Sequence, residues 1–285
     1  QPNRISIGLT CFSDTLLEEG LEDAACAIRQ EARHRLKKGR GVRVFGNPGL
    51  LDDWFRKNKI DPKDRAHLIT HAGECVDSFI TKDNGQAEIF VHAPFSFDMD
   101  GKTVDQNGAS LVLHGSFFEG ASCSRVMLAA DNPYNVWDGI VHKTKAKGRK
   151  ERLIWDVFSI SHHCSYKALS PDKGKEKTEP IESIKYLFEQ GEQGCCIISS
   201  SEVIPSKDTD QPPHRQAAVY YREVANDKDG DFLVTMERPS KEKPKKIVIE
   251  IGSSGIIWRK VTGVATGCGA VIAARSQRQG HQDAI

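Results

Sequence analysis

The chain is 285 residues long, 28% charged and 38% apolar, with a formal net charge of +1. That is the composition of an ordinary globular protein with room for one large domain or two modest ones. The near-zero charge excludes a global field that would draw the molecule onto nucleic acid or a membrane, so such contacts would need a local patch. No apolar run reaches the ~18 residues of a membrane span, and "QPNRISIGLTCFSD" lacks the three parts of a signal peptide.

In chain order, residues 15–38 carry Leu17, Leu21, Ala25, Ile28, Ala32 and Leu36 at spacings of three and four. This predicts a helix, with acids early, bases late and Gly39 as its stop. "GVRVFGNP" reads as a strand and turn, and "LLDDWFRKN" as a short helix. From 87 to 128 the runs "AEIFVHAPF", "ASLVLHGSFF" and "SRVMLAA" are strand-like. A helix then begins near Asn135, and "RLIWDVFSIS" is a strand. "PIESIKYLFEQG" is an amphipathic helix, "GCCIISSS" a buried strand, and "PPHRQAAVYYREVAN" a helix entered through prolines. "DFLVTMER" and "KKIVIEIG" close the series. Helices and strands alternate, which predicts an α/β or α+β layered fold. The small-residue tail from 252 to 285 is set apart from a domain spanning 1–251. The charge runs at 142–152, 172–179 and 240–246 read as solvated loops, the first also as a phosphate-attracting border.

Eight cysteines without a C-x-x-C pair read as reduced, mostly buried thiols of a cytoplasmic protein. Three loops share one pattern, an apolar strand followed by polar residues able to meet a metal or a phosphate. "RVMLAADN" ends on Asp131, "LIWDVFSISHHCS" on His162 and His163, and "GCCIISSSEVIPSKDTDQPPHRQAA" leads through serines to His214 and Arg215. Layered α/β folds gather their sites where strand ends meet loops. A carboxylate and several imidazoles suit a divalent ion such as zinc. The plain alternatives are that Asp131 caps a turn or helix and that the histidines are satisfied by hydrogen bonds. His92 and His114, inside strands, read as core or edge residues, and Trp137 and Trp155 as packing anchors.

Taken together, "NGASLVLHGSF" (107–117), "RVMLAAD" (125–131), "DVFSISHHCS" (156–165) and "SSSEVIPSKDTDQPPHRQA" (199–217) resemble the C-terminal half of a metallo-β-lactamase-fold hydrolase. The closest likeness is to the branch containing the DNA-uptake competence proteins, over residues 85–225. The resemblance implies an αββα sandwich incomplete at its N-terminus, and zinc or manganese as cofactor. It implies that Asp131 is a metal-bridging carboxylate, and that one of His162 and His163 is a ligand while the other faces the substrate phosphate. His214 would be a hydrogen-bond donor or general acid, Arg215 its assistant and Ser165 a loop-structuring residue. The implied reaction is hydrolysis of a nucleotide or nucleic-acid phosphodiester by a metal-bound hydroxide.

The chain departs from that pattern at Cys164 and Ala130, where the family has glycine. No His-x-His-x-Asp-His occurs. The missing initiating methionine leads to the expectation of an absent upstream portion, the alternative being a metal-poor relative. Two further functions follow from these departures: a non-catalytic binding or scaffold protein of the same fold, and a cysteine enzyme using Cys164 beside a histidine.

Overall fold

The computed structural model describes residues 5–7, 23–45, 48–76, 86–94 and 110–258. Its centre is a six-stranded mixed sheet with neighbours in chain order: β4 (Gln86–Ala93), β5 (Val112–Glu119), β6 (Ser122–Ala129), β7 (Trp155–Ser159), β8 (Gly191–Ser199) and β9 (Asp231–Val234). β4, β5 and β6 pair antiparallel, and β6 to β9 pair parallel. Each parallel step needs a crossover. These are α3 (Tyr134–Ala146), α4 (Glu182–Glu189) and α5 (Arg215–Asp227).

The side-chain period of two divides the sheet residues between two cores. Met127, Phe158 and Ile197 face the three helices, joined by Trp137 and Ile140 from α3, Leu187 and Phe188 from α4, and Ala218 and Tyr221 from α5. Trp155 lies at the centre of this layer, fully buried, its ring edge-on to Phe158 and Phe188. Its indole donates to the Leu187 carbonyl, so the ring is buried without leaving its N–H unpaired. Val157, Cys196 and Leu233 face the other way. They are covered by a hairpin of β10 (Ile249–Gly252) and β11 (Gly255–Trp258), with Ile256 packed inside. The boundary expected at Gly252 therefore falls within this hairpin, and the rest of the tail lies outside the described residues.

A second, parallel sheet of order β1-β2-β3 combines Ile5–Ile7, Val42–Phe45 and Ile69–Thr70 with α1 (Asp23–Lys38) and α2 (Pro48–Lys57). Its core is Leu36, Val42, Val44, Leu51, Phe55 and Leu68. Arg65, in a 3-10 turn over Pro62–Leu68, donates to the Leu36 and Lys37 carbonyls and so satisfies the end of α1. The sequence reading of α1 is corrected at one position: Ala32 and Leu36 are buried, but Ile28 is 57% exposed. Residues 15–22 of that predicted helix lie outside the described residues.

The run 142–152 also needs correcting. Its first half is the last part of α3, and Lys150–Leu153 form a 3-10 turn. It precedes β7, so it borders the edge of the sheet where the parallel strands begin. Arg152 is ion-paired with Glu88, and Arg149 donates to the Gly73 carbonyl.

Candidate functional site

The parallel strands end together on the other edge, and the polar residues picked out in the sequence follow those ends. Asp131 comes two residues after β6, His162 and His163 shortly after β7, Ser200 directly after β8, and His214 directly before α5. The structure brings Asp131, His162, His163 and His214 together. Asp131 Oδ1 stands 3.6 Å from His163 Nε2, and Asp131 and His163 both act electrostatically on His162, which in turn acts on His214.

The loop after β7 is built on an unusual backbone. His162, His163 and Cys164 have φ of 54°, 51° and 64°, three consecutive non-glycine residues in the left-handed region. Each costs about 1 kcal/mol, so neighbours must hold the turn in place. The His162 amide donates to the Ala130 carbonyl (3.2 Å), Ser165 closes the turn onto the His162 carbonyl (2.9 Å), and the His214 amide donates to the Cys164 carbonyl (3.0 Å). Trp137 donates to the Ser161 hydroxyl at 2.9 Å. Ser165 is buried, and its hydroxyl accepts from the Lys167 amide at 3.3 Å, a loop-structuring contact. The turn thus ties the ends of β6 and β7 to the start of α5.

His163 is oriented by a backbone carbonyl. Its Nδ1 lies 2.6 Å from the Ser200 carbonyl. A carbonyl only accepts, so Nδ1 carries the proton. In the neutral ring Nε2 then presents a lone pair to the Asp131 carboxylate. Two electron-pair donors facing each other at 3.6 Å repel unless a cation or a proton lies between them. Two ligands on a tetrahedral zinc ion stand ~3.4 Å apart, and metal-bound histidines commonly donate their other N–H to a backbone carbonyl. In donor type and spacing Asp131 and His163 therefore fit a divalent ion. In number they supply only part of a coordination shell: among the described residues no three His, Cys, Asp or Glu side chains gather closely enough to hold a metal.

His214 is 2% exposed, and neither ring nitrogen has a hydrogen-bond partner among the described residues; His162 Nδ1 is buried and unpaired in the same way. Such groups cost free energy unless something arrives to satisfy them. Burial pushes the His214 imidazole below its usual range. The nearby Asp210 backbone works the other way, and Lys173, His162 and Lys167 add to the depression. Burial likewise lowers His162, opposed by Asp131. The Tyr166 ring packs edge-on against His214 at 5.0 Å.

Arg215 is engaged by groups outside this cluster. Its guanidinium pairs with Asp208 and Glu176 at 3.0 Å each and donates to the Lys175 carbonyl at 2.9 Å. It fastens the 173–178 loop to α5. Cys164 is fully buried, and burial pushes its thiol up to about 12, which disfavours the thiolate that a nucleophilic role would need. Among the described cysteines, Cys164, Cys195 and Cys196 are buried. The sequence reading missed the Ser200 carbonyl and the pair Lys167 and Lys173; the second stands in the run 172–179 that had read as a solvated loop.

No helix among the described residues is long and apolar enough to cross a membrane. Comparison with known proteins returns no matching family model, no significantly similar curated protein and no significantly similar solved structure. The architecture is a mixed α/β fold with a central mixed sheet.

Proposed function

We propose that this chain is a metal-dependent hydrolase of phosphodiesters, built on a metallo-β-lactamase-like layered fold. One observation carries the reading: the Asp131 carboxylate and His163 Nε2 stand 3.6 Å apart, with His163 Nδ1 fixed on the Ser200 carbonyl. Asp131 and His163 hold the ion, zinc or manganese, with the remaining ligands drawn from outside the described residues, from water or from substrate. When bound, such an ion polarises phosphoryl oxygen and lowers the pKa of a coordinated water towards ~7.

The protein's own groups bind and orient the substrate. His162 lies beside the pair with an unpaired Nδ1. His214, kept neutral by burial, serves as a hydrogen-bond donor to a phosphate oxygen rather than as a strong acid. Arg215 positions the loop beside it. Overall near-neutrality disfavours broad, salt-driven binding to DNA, which suits a nucleotide or a short phosphodiester segment.

The partial ligand set favours a second reading, a non-catalytic binding protein of the same fold. Hydrolysis of bis(4-nitrophenyl) phosphate with added zinc or manganese separates the two. The hydrolase reading expects turnover that EDTA abolishes and that Asp131→Ala and His163→Ala each reduce by about 100-fold or more. Turnover that survives EDTA, or survives Asp131→Ala, would overturn it; no turnover in any metal would leave the binding protein.

A further inference from the structure

The loops bordering the site contain many charges, and several of them are paired. Arg215 is held between Asp208 and Glu176. Lys177 is held between Glu179 and Glu223. Gln216 donates to Asp208 and to the Lys175 carbonyl. Among the described residues Lys167 and Lys173 form no close carboxylate ion pair, although Asp208 lies near enough to feel the Lys173 charge. The Lys173 ammonium donates only to the Thr209 carbonyl, at 3.3 Å, which holds it across the gap between the 173–178 loop and the segment leading to His214. Lys167 follows the strained turn, its amide fixed on Ser165.

Both cations are close enough to act on the buried His214 ring, and Lys167 acts on His162 as well. Behind them stands α5, a 13-residue helix with His214 at its N-cap and no side-chain hydrogen bond capping its first turn. A helix N-terminus attracts anions. Here it coincides with a second feature, a 98% buried imidazole whose two nitrogens find no partner among the described residues. A buried ring with one N–H to donate, two ammonium groups outside any close ion pair and a helix N-terminus together favour one kind of ligand, an anion with several acceptor oxygens.

We propose that Lys167, Lys173 and His214 form a phosphate subsite on the edge of the sheet that carries Asp131 and His163. It rests on the hydrolase reading only for its purpose, which is to seat the non-bridging oxygens of the phosphodiester beside the metal pair. The cations at 142–152 have no part in it, because β7 separates them from this edge by its five residues, roughly 17 Å of strand.

The test is calorimetric titration of inorganic phosphate into the EDTA-treated chain, at constant ionic strength, for the wild type, Lys167→Gln, Lys173→Gln, the double variant and a Lys147→Gln/Lys150→Gln control. Circular dichroism confirms that each is folded. The expected result is saturable binding by the wild type, weakened about five- to tenfold by each single site-edge variant, lost in the double variant and unchanged in the control. Failure of the wild type to bind phosphate would overturn the proposal. So would wild-type affinity in the double variant, or an equal loss in the control. Because no metal is present, phosphate binding without any metal-dependent turnover would sink the hydrolase reading alone, and turnover without phosphate binding would sink the subsite alone.

Discussion

His92 and His114 make the stability of the sheet depend steeply on pH. They neighbour each other on β4 and β5, 3% and 1% exposed, with ring centroids 6.0 Å apart. Each uses Nε2 to hold a carbonyl of the segment entering β7: His92 on Arg152 at 3.0 Å and His114 on Ile154 at 2.8 Å. Burial pushes His92 down to about 3, with repulsion from His114 adding to it. Burial pushes His114 down to about 4, although its bond to Ile154 works the other way. In the unfolded chain both titrate near 6.5. Between pH 6.5 and about 4 the unfolded state therefore binds two protons that the folded state refuses, and stability falls as pH falls. The slope is about 2.7 kcal/mol per pH unit for the pair, or about 4 kcal/mol lost between pH 7 and pH 5. That is a large share of a typical domain stability of ~5–15 kcal/mol. His92→Gln keeps a donor for the Arg152 carbonyl and removes one titration, so it should unfold more easily at pH 7 but lose only about half as much on going to pH 5. Urea unfolding of both proteins at pH 7, 6 and 5 measures this. Equal pH slopes would refute the reasoning, because they would mean that His92 is protonated in the folded state.

Three further outcomes are expected. Cys164→Gly relieves a left-handed residue while removing a buried thiol, two effects of about 1 kcal/mol that oppose each other; Cys164→Val adds β-branching at φ 64° and should lose about 2 kcal/mol or more, as read from urea midpoints. Iodoacetamide should leave Cys164 unmodified in the folded protein at pH 7, since its thiol lies near 12; mass-spectrometric detection of rapid alkylation at this position would contradict the buried turn. Gly174 has φ +76°, and a Cβ there would collide with the Lys177 carbonyl, so Gly174→Ala should disorganise the 173–178 loop. Phosphate affinity should fall as it does in Lys173→Gln, with metal content unchanged.

Where periodicity was long and regular, the sequence was a reliable guide. The helices at 134–146, 182–189 and 215–227 and the strands between them were legible because their apolar residues repeat at three and four, or run continuously as buried parallel strands do. The small N-terminal sheet was legible only in its middle strand, Val42–Phe45. Its third strand is only Ile69–Thr70 and the element before it is a 3-10 turn, too short for either period to register. β11 was hidden among small residues, and its pairing is fixed by Ile256 meeting Val157, Cys196 and Leu233 from distant parts of the chain.

The candidate site was legible as residue types at strand ends, and the structure gathers Asp131, His162, His163 and His214 on one edge. Its chemistry was less legible, because the orientation of His163 depends on a backbone carbonyl 37 residues away. The run 142–152 adjoins His162 in sequence, but β7 carries it to the opposite edge. Lys167 and Lys173 gain their meaning only once the ion pairs of their neighbours are known.

The most direct test of the central claim is metal content by plasma mass spectrometry on the purified chain, with Asp131→Ala and His163→Ala measured alongside. The account predicts near-stoichiometric zinc or manganese in the wild type, reduced at least tenfold in each variant. Metal-free wild-type protein that also fails to take up added zinc or manganese would contradict it, and would assign the 3.6 Å approach of Asp131 and His163 to an imidazolium–carboxylate ion pair.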